Sequence, residues 1–289
     1  MNIVTSIAFI LGIVIVGILP FPVLYWFSNF LGFILHRIAR YRRGVVESNL
    51  AMCFPEFDGN HRKRVVKYFY RNLSDNILEG VKVFTMGQRQ VLKRHKLLNP
   101  ELVLPYLNDG ISVIGVTGHY ANWEWGSLSA SLQIQTNVIA FYKKINNPFV
   151  DRLVRKSRAK YGTTLVTLHN TSEAFEANVS KPSIFLMAAD QRTIRKSLHK
   201  AYRVNFFNRE TPFLHGPEKY SRLYNIPVIY IDIQRVKRGF YEITLSVLAD
   251  DPKTLPDGEI TKRYAQKLEE IIRAKPQDWL WSHKRWKAI

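Results

Sequence analysis

The sequence predicts an α/β fold: a sheet flanked by helices, behind an N-terminal membrane-anchor helix. Three observations lead there. Residues 1–36 contain no Asp, Glu, Lys or Arg, and Arg37, Arg40, Arg42 and Arg43 follow at once. From residue 111 onward, short apolar runs alternate with amphipathic stretches, the pattern of a sheet covered by helices. No repeat, low-complexity tract or linker divides the rest of the 289 residues, so one large domain accompanies the anchor. The resulting division is residues 1–38 for the anchor and 39–289 for the domain.

Residues 3–19 are mostly aliphatic and, as a helix rising about 1.5 Å per residue, would cross most of a ~30 Å hydrocarbon core. Pro20 and Pro22 interrupt them. Residues 23–36 are apolar apart from a weak stripe of Tyr25, Ser28/Asn29, Gly32 and His36 at three- and four-residue intervals. That stripe predicts a helix lying at the interface or packed on the enzyme, rather than a second span. The segment is not read as a cleaved signal peptide, because it lacks a basic start and a small-residue cleavage site. The arginines that follow place the downstream chain on the cytoplasmic side.

Residues 45–50 continue as helix and stop at Cys53-Phe54-Pro55. An amphipathic helix is expected over 60–84, with Val65, Val66, Phe69, Leu73, Ile77, Leu78 and Val81 on its buried face. Residues 100–108 form a short helix broken at Pro105. Strands are expected at 111–117, 138–141, 164–168, 183–188, 227–233 and 241–247. Helices fill 123–132, 148–161, 171–178, 218–224 and 261–275.

The charge balance is unusual. There are 42 Lys+Arg against 23 Asp+Glu, a net charge of +19. Such an excess suits an anionic partner: a phospholipid surface, a phosphorylated lipid, an acidic carrier protein or nucleic acid. Without zinc-finger spacing, a ribonucleoprotein motif or a helix-turn-helix signature, nucleic acid is set aside. Cys53 stands alone, which excludes an internal disulfide and fits a reducing compartment. No Gly-x-Ser-x-Gly or nucleotide-binding glycine loop occurs, which argues against a serine hydrolase or an ATP-using enzyme. His169, His199 and His215 lack metal-ligand spacing.

The chemistry points to one turn. The strand over 111–117 runs into Gly118-His119-Tyr120-Ala121-Asn122-Trp123-Glu124, at the carboxyl end of a strand, where α/β enzymes place ligands. With His119 in the turn and Glu124 in the first turn of the next helix, the two side chains can meet. A neutral imidazole near pKa 6.5 can take a proton from an attacking alcohol, and a carboxylate on its other nitrogen fixes the tautomer and stabilises the imidazolium. The spacing by itself is unspecific. Eight histidines and 23 acidic residues produce it by chance about as often as not, and a surface histidine explains it equally well.

The heptapeptide resembles the active-site motif of the late acyltransferases of lipid A biosynthesis, whose usual form is Gly-His-x-Gly-Asn-Trp-Glu. Three more stretches match in order: Asn49-Leu50-Ala51-Met52-Cys53-Phe54-Pro55-Glu56; Ala189-Asp190-Gln191 with Phe206-Phe207 and Thr211; and Pro276 through Trp279, Trp281, His283 and Arg285 to Lys287. The resemblance spans nearly the whole chain. It implies a glycerolipid-acyltransferase-like fold and a bacterial inner-membrane enzyme whose catalytic domain faces the cytoplasm. An acyl carrier protein thioester is then the donor. The acceptor is a hydroxyl on a phosphorylated, anionic glycolipid, a lipid A precursor. No cofactor and no metal are implied, and His119 is the general base with Glu124 as its partner. Two positions depart from the pattern. Ala121 stands where glycine is usual, so positive φ is not expected there. Gln277-Asp278 replaces the usual Glu-Gln.

The resemblance also nominates substrate-binding residues. Arg158, four residues before Gly162, is expected to contact an oxyanion or phosphate through its planar fork; otherwise it is one more solvated arginine of its helix. Asp190 and Gln191 are expected to wall the site, or else Asp190 pairs with Arg192 or caps a helix. Asn122 and Trp123 join them from the motif itself. Trp123 and Trp125, two bulky aromatics beside the base, are candidates for walls that measure the acyl chain. Trp279 and Trp281 are expected to pack on the sheet, and Arg285 to contact membrane or substrate.

Overall fold

The N-terminal helices and the turn over residues 118–124 meet on one long helix, and that helix organises the molecule. In this computed structural model residues 3–193 and 195–286 are described, so Lys287 of the C-terminal signature lies outside the described residues. Helix α1 (Ile3–Ile18) and helix α2 (Phe21–Phe33) are separated at Pro20. A π-helical turn (Ile34–Ile38) prolongs α2, and α3 (Arg43–Cys53) leads to α4 (Gly59–Lys82). With 16 residues, α1 rises roughly 24 Å at 1.5 Å per residue. Among the described residues no helix is long and apolar enough to cross a membrane.

Helix α2 lies on α4 with Leu24, Ser28 and Gly32 buried beneath it. The weak polar stripe is therefore its protein-facing side: Ser28 bonds to Asp75 and Ser74, Tyr25 to Glu79, and His36 stacks on Tyr70. Gly32 sits where a Cβ would come within 3.0 Å of Ser74 Oγ. Trp26, Phe27, Phe30 and Phe33 face outward, with Ile7, Leu11, Val14 and Ile15 of α1 also exposed.

The first half of α4 buries Val65, Val66 and Phe69 as the periodicity predicts. Its second half reverses the expectation. Asn72, Ser74, Asp75, Glu79 and Lys82 are buried, whereas Leu73, Ile77 and Val81 line an open apolar groove. The polar residues recur at three- and four-residue spacing like a solvated face, but the partners that satisfy them come from α2, the sheet and the C-terminal segment.

The sheet is mixed and mostly parallel. Its strands are β1 (His95–Leu97), β2 (Val113–Thr117), β3 (Asn137–Tyr142), β4 (Thr164–Thr167), β5 (Ser183–Ala188), β8 (Val228–Lys237) and β9 (Phe240–Ala249), in the order β1-β9-β8-β2-β5-β3-β4. Among the described residues of this sheet only the β8–β9 pair is antiparallel. The six expected strands all form, β5 with the expected ends and the other five with shifted ones. Strand β1 goes unpredicted because three residues carry no period. The hairpin of β6 (Tyr202–Phe206) and β7 (Arg209–Phe213) is also missed, since charges and Pro212 obscure its alternation. Its turn, Phe207-Asn208, has positive φ at both residues, the two-residue geometry of tight hairpins.

Helices cover both faces: α5 (Gln88–Arg94), α6 (Leu104–Asn108), α7 (Gly126–Gln133), α8 (Pro148–Arg158), α9 (Thr171–Asn178), α10 (Gly216–Tyr224) and α11 (Glu259–Ala274). The short helix expected over 100–108 is split at Val103, with Pro105 in the first turn of α6, where its missing N–H costs nothing. Central strand β2 lies between β5 and β8, so its carboxyl end delivers residue 118 to the middle of the sheet's upper edge.

Candidate active site

The chain leaves β2 through Gly118, whose Cα passes beneath a carboxylate. A Cβ there would meet Leu268 Cδ1 at 2.7 Å and Asp190 Oδ2 at 3.3 Å, so the close approach requires glycine. His119 follows. Its backbone N–H donates to Asp190 Oδ2 at 2.9 Å, and its Nδ1 lies 2.5 Å from Asp190 Oδ1. Asp190 itself is only 3 % exposed, and Trp279 Nε1–H donates to its Oδ2 at 2.8 Å. With Asp190 accepting from Nδ1–H, the His119 Nε2 lone pair is left free to accept, and the Gln191 amide lies 2.9 Å from it. Burial works against the protonated imidazole, but the charge and hydrogen bond of Asp190, joined by the charge of Glu124, outweigh it and raise the His119 pKa. Burial likewise works against the Asp190 carboxylate, and the imidazole's charge and bonds overcome it, holding Asp190 well below the usual carboxylate range.

The expected partner of His119 is therefore corrected. Glu124 pairs with Arg158 Nη2. A 3₁₀ turn (Trp123–Trp125) carries Glu124 away from the imidazole toward the last turn of α8, while β5 ends beside β2 and brings Asp190 under His119. Adjacency across a parallel sheet is invisible to a spacing of five in the chain. Glu124 stays close enough for its charge to act on His119.

Ala121 overturns a second expectation, since its φ is +48°. The left-handed turn is clamped from both sides: Asn76 Nδ2 donates to Ala121 O at 2.6 Å, and Ala121 N–H donates to Asp278 O at 2.9 Å. Leu280 N–H also donates to His119 O at 3.1 Å, and Tyr120 and Trp279 form a β-bridge. The C-terminal signature thus braces the turn that carries His119. Asn49 holds that signature in turn, donating to the carbonyls of Trp281 and His283. Burial pushes His283 down to about 4, and its neutral Nε2 accepts from the Arg192 N–H at 3.0 Å, fixing the loop that bears Asp190 and Gln191.

The remaining nominated residues divide. Trp123 stands edge-on to His119, ring centroids 5.1 Å apart, and lines a cavity against the sheet. Asn122 is fully buried: its amide donates to Glu79 Oε2 at 2.6 Å and its oxygen accepts from the Trp125 N–H. Arg285 is also buried rather than facing membrane or substrate. It lies over the Phe213 ring, and Nη2 donates to Pro212 O. Glu79 was not singled out by the sequence. Tyr25 and Tyr241 hydroxyls and the Asn122 amide all donate to its carboxylate. Burial pushes its pKa upward against the opposing charge of Arg235.

His119, Trp123, Glu124, Arg158 and Gln191 border a cavity of about 470 Å³ that runs under α7 across one face of the sheet. All seven strands contribute to its lining, mainly through aliphatic side chains such as Ile184, Leu186, Ile231 and Leu245. A volume in the range of small-molecule sites, apolar inside and edged by an imidazole, an arginine and two carboxyl-derived groups, suits a hydrocarbon chain with a reactive polar end. A separate groove between α1, α4 and α8 reaches the same Trp123, Glu124 and Arg158.

With this geometry in view, comparison with known proteins is decisive. The sequence profile of the family "Bacterial lipid A biosynthesis acyltransferase" matches residues 2–288. The chain belongs to the bacterial lipid A biosynthesis acyltransferase family. It is therefore an enzyme, an acyltransferase of lipid A biosynthesis. Similar proteins include the lipid A biosynthesis lauroyltransferase of Escherichia coli (strain K12), 22% identical over 275 residues that cover 93% of this chain and 87% of that one. The lipid A biosynthesis palmitoleoyltransferase of the same organism is 23% identical over 274 residues, with coverage of 93% and 87%. A lipid A biosynthesis acyltransferase of Haemophilus influenzae is 19% identical over 276 residues, covering 93% and 83%. At such identities most positions of the acyltransferase differ from those of these relatives.

Proposed function

We propose that this acyltransferase moves a fatty acyl chain from an acyl carrier protein thioester to a hydroxyl of an anionic lipid A precursor, with His119 as general base. The observation that carries the reading is an aspartate-oriented histidine at the mouth of an apolar cavity. The acyl chain occupies the cavity and leaves its thioester carbonyl beside His119. The acceptor hydroxyl takes the place of the Gln191 amide at Nε2. His119 removes its proton as the oxygen attacks the carbonyl, and Asp190 stabilises the imidazolium. Collapse of the tetrahedral intermediate breaks the C–S bond, and the proton passes from Nε2 to the departing thiolate. Arg158, steadied by Glu124, is placed to stabilise the developing oxyanion or to hold an acceptor phosphate.

The membrane reading follows the apolar surface. The exposed aromatic and aliphatic side chains of α1 and α2, with Arg37 and Arg40 beside them, favour a helix pair lying in the interface over a span. The site then faces the cytoplasmic leaflet of the bacterial inner membrane. The test is transfer by the purified full-length enzyme from an acyl carrier protein thioester to a lipid A precursor, read by mass spectrometry. A mass gain of one acyl group, lost in His119→Ala, is expected. Full transfer by folded His119→Ala protein overturns the mechanism, and absence of transfer to any lipid A precursor overturns the acceptor.

A further inference from the structure

We propose that the outer face of α8, Arg152, Arg155 and Lys156, together with Lys143 and Lys144, is the surface on which an acidic carrier protein docks to deliver the thioester. This rests on the donor proposed above. The five side chains belong to one rigid rim. Asp151 of α8 is buried, accepts from the Ile145 N–H at 2.9 Å and from the Tyr142 hydroxyl, and so ties the loop holding Lys143 and Lys144 to the helix. Lys143, Ile145 and Arg158 line the cavity itself, so the rim sits at its entrance.

The charge on this rim is uncompensated. All five residues are exposed, and among the described residues none of them forms an ion pair, unlike the arginines and lysines of α11. Cations near a helix carboxyl end are favourable on their own account, which suffices for Arg155 and Lys156. It does not account for Arg152 or for the two loop lysines.

Orientation separates a protein partner from a membrane. Val154, Ser157 and Arg158 line the groove shared with Phe9 of α1, so that side of α8 looks toward the apolar helices. Arg152, Arg155 and Lys156 project roughly 100–200° around the helix from Val154. They point away from the exposed apolar surface, to the side from which a water-soluble donor arrives. An acidic carrier is steered onto such a rim by long-range attraction, and its flexible thioester-bearing arm enters beside Lys143 and Arg158.

The experiment compares two donors with the full-length enzyme in detergent: an acyl carrier protein thioester and the same acyl group on pantetheine. In the variant R152Q/R155Q/K156Q, the ratio of kcat/KM for carrier to kcat/KM for pantetheine is expected to fall about tenfold or more at low salt, with the loss shrinking as salt rises. A control removing equal charge from α4, K63Q/R64Q/K67Q, is expected to keep the wild-type ratio. An unchanged ratio in the α8 variant overturns the proposal, as does an equal fall in the control. So does loss of sedimentation with phosphatidylglycerol vesicles at an unchanged donor ratio, which would reassign the rim to lipid headgroups. Failure of the wild-type enzyme to use the carrier thioester at all would instead strike the donor reading on which the surface depends.

Discussion

Tyr25 of α2 donates its hydroxyl hydrogen to Glu79 of α4 at 2.8 Å, and the other Glu79 oxygen accepts from Asn122 in the turn after β2. One buried carboxylate therefore joins α2 to the loop that carries His119. Lys82, one turn further along, donates to the carbonyls of Gly17 and Leu19 at the end of α1.

This wiring bears on truncation. An anchor that ends at residue 38 as a separate unit should be removable, but removal of residues 1–35 strips partners from Glu79, Asp75 and Lys82 in the core. We expect the truncated protein to be aggregated or much less stable, and Tyr25→Phe to cost about 1.5–3 kcal/mol, the range for a hydrogen bond to a charged group. Thermal melts in one fixed detergent measure both. A truncated chain that is monodisperse and melts with the full-length protein would show that α2 is only an anchor.

Ala121 offers a second test. A left-handed conformation costs an L-residue roughly 1–2 kcal/mol, while glycine loses roughly 0.5–1 kcal/mol of backbone entropy relative to alanine. Ala121→Gly is therefore expected to leave stability unchanged or raise it by up to about 1.5 kcal/mol, whereas Ala121→Val, β-branched in a fully buried left-handed turn, should lower it severely. A clear loss of melting temperature in Ala121→Gly would mean that the clamps from Asn76 and Asp278 carry no strain.

What could be read from the sequence follows from the range of the interactions. Strands β2 to β5, β8 and β9 announce themselves because burial writes a local apolar pattern. His119 is found because a turn after a buried strand is also local. The partner of His119 is not, since Asp190 arrives from a neighbouring strand 71 positions along the chain. Glu79 is hidden for a related reason: a buried polar face has the same periodicity as a solvated one, and only its partners in α2, β9 and the turn after β2 distinguish them. Asn122 lies within the motif, yet its side chain serves the loop's shape rather than the cavity.

The cavity yields a chain-length prediction. Gly115 lies in its wall at the centre of the sheet, and an added Cβ would come within 2.6 Å of Ile231 Cδ1 and 3.1 Å of Leu186 Cδ2. Gly115→Ala is expected to push those side chains into the cavity and shift donor preference toward shorter acyl chains. Trp125 is fully buried, with its indole donating to Glu79 O, and is not among the cavity-lining residues. Trp125→Ala should thus destabilise by about 3–5 kcal/mol without a specific change in chain preference. Competition among donors of graded length decides it. An unchanged profile in a folded Gly115→Ala enzyme would remove this glycine from the wall that measures the chain.

The two carboxylates near His119 can be told apart by pH. The raised His119 pKa means that the basic form predominates only above that raised value, so kcat/KM should climb with pH along a limb lying above about 6.5, the ordinary histidine value. The same shift stabilises the fold fully below the unfolded value, and that stabilisation is lost as pH rises through the folded one. In Asp190→Asn, burial continues to lower the pKa and the opposing charge is gone, so the limb should move to lower pH. The rate at its plateau should also fall by about 10²–10⁴, because the imidazolium loses its counter-charge and its fixed tautomer. Glu124→Gln removes a weaker influence and should move the limb less, while freeing Arg158 and lowering kcat through a different route. His119→Ala should lose at least about 10² in rate, and adding Asp190→Asn should cost little more, since both residues serve one proton transfer. If Glu124→Gln moved the limb further than Asp190→Asn, or if the losses of the His119→Ala and Asp190→Asn changes multiplied, the acid–base pair would have to be reassigned to His119 and Glu124.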